Sequence, residues 1–149
     1  MFSSFPGIER VITLIDGAGL VLEFADREVL LKPGGSLRFD SGLAPIGRPQ
    51  GGPVKVINVM GRRGFWQIGH CAIGDGATTQ VCGADEQLFW FCLDAGWQFD
   101  CERMTVKAGR YDSVMATGPA RVIATHSGNG RILLARLRKV VDAESDTRL

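Results

Sequence analysis

Short apolar segments, each of strand length, alternate with turn-forming residues along almost the whole chain, and this rhythm constrains the fold more than any single motif. Residues 10–15 are rich in β-branched side chains and run into Asp16-Gly17-Ala18-Gly19; residues 20–24 and 28–31 follow, and Lys32-Pro33-Gly34-Gly35 makes the next turn. The pattern continues through residues 36–39, 54–60, 66–73, 88–93, 97–101, 111–116, 121–125 and 131–140. No segment carries the 3.6-residue apolar stripe of a helix, so the sequence predicts an all-β protein.

Within that rhythm the chain echoes itself. Residues 11–19, ending Asp16-Gly17-Ala18-Gly19, match residues 89–97, which carry Asp94-Ala95-Gly96, and Leu31-Lys32-Pro33-Gly34 matches Val106-Lys107-Ala108-Gly109. Gly52-Pro53 and Gly118-Pro119 come later in their respective halves. Two jelly-roll sandwiches, each built of antiparallel strands joined by tight turns, produce such an echo; so does coincidence between two hairpins, because turn chemistry is generic. On this reading residues 1–64 form a first cupin-like half and 65–141 a second. Residues 43–53 are rich in Gly and Pro and read as a long irregular connection, and the polar stretch 142–149 reads as a solvated, flexible tail.

A chain of 149 residues, 45% hydrophobic, is long enough for one unit with a substantial core. Its formal net charge of +1 supplies no field to steer a polyanion, and no Lys/Arg cluster interleaves with aromatics, so nucleic acid is not an expected partner. Neither a signal-peptide pattern nor a membrane-length apolar run occurs, and a cytoplasmic, membrane-free protein is expected. The spacing of Cys71, Cys82, Cys92 and Cys101 fits neither a zinc pattern nor a small disulfide framework; the four read as reduced thiols, mostly buried.

The chemistry these residues support is narrow. With only His70 and His126, the paired histidines of metal-dependent cupins cannot be assembled locally, and no metal or other cofactor is expected. There is no Gly-x-Ser-x-Gly elbow, and adjacent His70 and Cys71 point to opposite faces of a strand. Gly17-Ala18-Gly19 and Gly128-Asn129-Gly130 lack the strand-to-helix context of a phosphate loop and read as hairpin turns.

What remains are arginines and an amide. Arg10 follows Pro6-Gly7 and opens a strand, either projecting into a barrel mouth to grip a carboxylate or pairing with Glu9 or another surface carboxylate. In the stretch 52–64 an apolar strand delivers Asn58, Met60 and then Arg62 and Arg63, the wall of a polar pocket. Asn58 contacts ligand or bonds a neighbouring strand, and alternation sends at most one of Arg62 and Arg63 to the pocket. Ser4 and Phe5 are placed to line the same mouth as Arg10. Trp66, Trp90 and Trp97 read as packing residues.

Phe2-Ser3-Ser4-Phe5-Pro6-Gly7-Ile8-Glu9-Arg10 and the run from Pro53 to Gly64 resemble the HutD/Ves family, and the similarity extends from Phe2 to about Val141. The resemblance implies a bicupin, two RmlC-like jelly-roll β-sandwiches, without metal. It also implies a small acidic metabolite of formylglutamate or formiminoglutamate type as ligand, and a regulatory role in histidine utilisation or stress response rather than proven enzymatic activity. A cofactor-free cupin isomerase or hydrolase and an interaction module with a vestigial pocket are the rival readings. Family members normally carry a further glycine-rich segment and an early strand ahead of the region matched here, so the chain is expected to be N-terminally truncated, with an exposed sheet edge that invites homodimerisation. Val56 stands where members carry Asp, which removes an acidic partner from that strand.

Overall fold

The computed structural model describes residues 1–102 and 104–140. Its first part contains β1 (Ile8–Asp16), β2 (Gly19–Glu23), β3 (Glu28–Leu31), β4 (Ser36–Asp40), a 3-10 turn (Ser41–Leu43), β5 (Ile46–Gln50) and β6 (Lys55–Arg62). The second contains β7 (Trp66–Asp75), β8 (Thr78–Cys82), β9 (Glu86–Cys92), β10 (Trp97–Cys101), β11 (Met104–Ala108), β12 (Ser113–Thr117), β13 (Ala120–His126) and β14 (Arg131–Lys139). These make four antiparallel sheets, ordered β4-β1-β6, β3-β2-β5, β12-β9-β14-β7 and β11-β10-β13-β8.

The sheet orders contain a repeat. Advancing each strand number of the first pair of sheets by eight gives β12-β9-β14 and β11-β10-β13; β7 and β8 are additions beside β14 and β13. The echoed Asp turns fall at equivalent places, after β1 and β9; the second echo marks the ends of β3 and β11, although Val106-Lys107-Ala108 still belong to β11. Gly17, at φ 108°, shows why the first of these needs glycine, since a Cβ there would lie 2.7 Å from Val54 Cγ1. The Gly-Pro pairs are not equivalent: Gly52-Pro53 joins β5 to β6, whereas Gly118-Pro119 joins β12 to β13.

One segment differs from its sequence reading. Residues 43–53 are not a long loop, because they contain β5, which pairs with β2 from Gly19↔Gln50 to Glu23↔Ile46. Pro49 is tolerated since β5 is the edge of its sheet, where a missing N–H breaks no ladder on the solvent side. The tail 142–149 lies outside the described residues.

Alternation along the strands sorts the side chains into three cores. Ile12, Leu14, Leu20, Leu22, Leu31 and Phe39 fill the first sandwich, and Leu88, Trp90, Trp97, Phe99 and Ile132 the second. The third joins the halves: Val11 with Ile57 and Val59 of β6 packs against Ile68, Leu133, Ala135 and Leu137. Gly61 lets the halves approach closely, because a Cβ there would meet Ile68 and Trp66 at 3.2 and 3.3 Å. Leu133→Ala removes a fully packed side chain from this shared core and is expected to lower unfolding free energy by about 2–5 kcal/mol, with one cooperative urea transition retained.

Candidate functional site

β1 carries Arg10 into the first sandwich because its register partners, Phe39 on β4 and Met60 on β6, share that inward face. The residue is only 3% exposed. Its guanidinium carbon lies 5.7 Å from the ring centroids of Phe2, Phe5 and Phe39, so three aromatic faces surround one cation. Nη2 donates to the Ser3 carbonyl at 3.2 Å, while Nε is buried without an acceptor among the described residues. Burial pushes the guanidinium pKa down from its ordinary value. Glu9, the carboxylate next in sequence, is engaged by Arg38 at 2.8 Å and is not the partner of Arg10.

The cage is closed by residues 2–6, which lie as a strap over the 3-10 turn. Phe2 N–H donates to Pro45 O at 3.0 Å, Phe5 N–H to Ser41 O at 3.2 Å, and the Ser4 hydroxyl to Gly42 O at 3.2 Å. The turn is itself pinned: Asp40 caps it by accepting from Gly42 N–H at 2.8 Å and binds Arg63 at 2.7 Å. The Gly42 N–H and then the Arg63 guanidinium hold the Asp40 carboxyl below its usual range. Gly47 admits the Phe2 ring, because a Cβ would stand 2.9 Å from it.

The sequence candidates therefore divide. Arg10 and Phe5 meet in the cage, Ser4 ties the strap down, and Arg63 secures the turn beneath it. Asn58 and Met60 sit on β6 beside Ile12 and Arg10, on the inward face, yet both are exposed. Arg62 is exposed and stacks over Phe65 at 4.6 Å. Sequence reading did not single out Phe2, Phe39, the Ser3 carbonyl or Gly47 for this site. Phe39 was accessible as an inward position, two residues from Leu37 on a short strand; the others depend on how the strap folds back.

The equivalent place in the second sandwich behaves differently. Leu88 stands where Arg10 stands, and its register partner on β14 is Arg136, at the position of Met60. Arg136 is satisfied within the protein: it donates to Glu86 at 2.5 Å, Val81 O at 3.0 Å and Gln80 at 3.2 Å. Glu86 also accepts from Gly83 N–H at 2.9 Å and Arg138 at 3.0 Å. These two bonds, with the charge of Arg136 behind them, hold its carboxyl below the ordinary Glu value. The second half neutralises its inward cation, whereas the first does not.

Other chemistry finds little footing. Among the described residues no three His, Cys, Asp or Glu side chains converge on a point. His126 has both nitrogens occupied, Nδ1 accepting from Gly128 and Gly130 N–H and Nε2 donating to Ala95 O at 2.6 Å. The four cysteines are unpaired. Burial raises the Cys71 and Cys82 thiols and pushes Cys92 up to about 11, which disfavours the reactive thiolate. Among the described residues no helix is long and apolar enough to cross a membrane.

Two linked antiparallel sandwiches of this topology define a bicupin. The HutD family model matches residues 1–134, and the chain belongs to the HutD family. A conserved protein of unknown function from Pseudomonas aeruginosa PAO1 is similar at TM-score 0.84 and 16% identity, over 94% of this chain and 77% of that one. HutD from Pseudomonas fluorescens SBW25, solved in a formate condition, is similar at TM-score 0.73 and 24% identity, over 93% and 72%. The Escherichia coli protein YlbA is similar at TM-score 0.62 and 10% identity, over 91% and 70%. No curated protein matches the chain.

The contrast between the halves predicts an acid response. Glu86 has a depressed pKa when folded, so its stabilisation is complete above the unfolded Glu value of about 4.3 and is lost as pH falls through the folded value. Urea midpoints are expected to be flat from pH 7 to about 5 and to fall below about 4. Glu86→Gln should lower the plateau and make the acid limb shallower.

Proposed function

We propose that this protein binds a small acidic metabolite, an amino-acid-derived carboxylate of formylglutamate or formiminoglutamate type, and acts as a regulatory binding protein in histidine catabolism or stress response. The observation that carries this reading is Arg10: a cation 3% exposed, ringed by three phenylalanines, with one protein hydrogen bond and an unused Nε–H. Cation–π attraction and a single carbonyl do not replace the hydration lost on burial, whereas a carboxylate matches the planar donor fork of a guanidinium with two parallel, charge-assisted bonds. The HutD of Pseudomonas fluorescens was solved in a formate condition, and formate is the smallest molecule of that chemistry.

Access requires the strap to lift. Its fastenings are few, and Ser3, Ser4 and Phe5 are exposed, so residues 2–6 are the natural gate. Once it opens, the amide of Asn58, two register pairs from Arg10 along β6 and on the same face, is available to a formyl or formimino group. Binding without turnover is the reading favoured by the titratable groups. The carboxylates with resolved shifts, Asp40, Glu86, Asp94 and Asp100, are all moved down, away from the range of a general acid.

Calorimetric titration of the purified protein with formylglutamate, formiminoglutamate, glutamate and formate tests the proposal, with Arg10→Ala and Arg10→Met alongside. Micromolar binding selective for the formyl or formimino compounds, weakened more than about tenfold in Arg10→Ala, is expected. Without ligand, Arg10→Met should raise unfolding free energy by about 1 kcal/mol or more, because an apolar chain of similar length replaces an uncompensated buried charge. No binding to well-folded protein, or equal binding to Arg10→Ala, overturns the reading.

A further inference from the structure

The 3-10 turn beneath the strap does not hold its own shape easily. Ala44, which ends it, sits at φ 42° and ψ 61°, in the left-handed region that non-glycine residues seldom occupy. Ser41 is fully buried, and its hydroxyl has no partner among the described residues. Strain of this kind persists only where the surroundings enforce it. Yet this turn is what the strap is fastened to, through Ser41 O and Gly42 O.

The enforcing contacts converge on Arg63. Its guanidinium holds Asp40, the cap of the turn, while its backbone N–H donates to Gly7 O at 2.9 Å. Gly7 is where the strap meets β1; it stands at φ 77°, and a Cβ there would find nothing within 4 Å, so this position is free to act as a hinge. One residue therefore grips the hinge with its main chain and the anchorage with its side chain. Arg63 also offsets a repulsion. Asp40 lies opposite Glu9 in the β1–β4 register, two carboxylates on the face turned away from the Arg10 cage; Arg38 engages Glu9, and Arg63 engages Asp40.

We propose that Arg63, acting through Asp40, is the latch that sets how often the strap lifts from Arg10. This rests on the reading of Arg10 as a carboxylate site and adds its regulation. Arg63 makes no contact with the carboxylate; it controls the rate of exchange and not the affinity. The latch is closed in the free and the liganded protein alike, so weakening it favours opening equally in both. Entry and exit then accelerate together, and their ratio holds.

The test begins without ligand, with NMR-detected amide exchange at Phe2 and Phe5. Exposed ion pairs are weak, so Arg63→Met is expected to speed exchange about threefold. Asp40→Ala, which loses the cap as well, should speed it about tenfold. Asp40→Asn keeps a capping oxygen and relieves the repulsion from Glu9, and should stay within about twofold of the unsubstituted rate. Leu133→Ala weakens the shared core and should leave Phe5 exchange unchanged, because lifting of the strap is a local event. Line shapes in a formylglutamate titration of Arg63→Met then give the two rate constants, which are expected to rise by the same factor with Kd unchanged. Phe5 exchange that is unmoved in Arg63→Met and Asp40→Ala, or accelerated as much by Leu133→Ala, overturns the latch. So does a Kd raised in Arg63→Met through dissociation alone, the mark of a lost ligand contact. Failure of formylglutamate to bind even the unsubstituted protein counts against the carboxylate site, while the ligand-free exchange decides the latch by itself.

Discussion

Strand β1 is buried on both faces, and the rest of the molecule is arranged around that fact. From Arg10 to Leu14 every side chain is sequestered, with Arg10, Ile12 and Leu14 turned into the first sandwich and Val11 into the core shared with the second half. A strand in this position cannot slip by one residue without exchanging the two sets, so its register is held by the fit of each set to its own core. Arg10 is carried inside by that register. The free energy that keeps the cation buried comes from its apolar neighbours in the strand, not from a counterion.

This explains why the two halves have diverged in chemistry while keeping one topology. Advancing by eight strands converts one sandwich into the other, but the inward cation moves from β1 to β14 and gains Glu86. A neutralised pair contributes architecture, while an uncompensated guanidinium stores interaction capacity that a ligand can release. The aromatic rings around Arg10 reduce the cost of that state without ending it, since their attraction is weaker than a carboxylate's and leaves the hydrogen-bonding capacity unspent.

Much of the fold was legible because strand alternation and turn residues are local signals. The paired Asp turns after β1 and β9 revealed the repeat, although the Gly-Pro pairs, used for different connections, did not belong to it. β5 was hidden since Gly47 and Pro49 carry breaker chemistry, which an edge strand tolerates. β8 and β11 were hidden for a related reason: Thr78, Thr79 and Gln80, or Thr105 and Lys107, dilute the apolar pattern on strands with a solvent-facing side. At the site, Arg10 was legible from its place after Pro6-Gly7. Its cage was not, because Phe2, Phe5 and Phe39 come together only through the register of β1 with β4 and the fold-back of residues 2–6.

The shared core also has a temporal side. Val11, Ile57 and Val59 are made early, but the strand that covers them, β14, is the last of the described strands to leave the ribosome. Until then the first sandwich has a wet apolar outer face, which favours association with whatever apolar chain is nearby. Closure also depends on pairings such as Ile8↔Arg62 and Trp66↔Lys139, which join residues far apart in sequence and make for slow folding. The order of synthesis thus leaves the half that holds the buried cation waiting for the other, a demand on chaperones that a pair of independent sandwiches would not make.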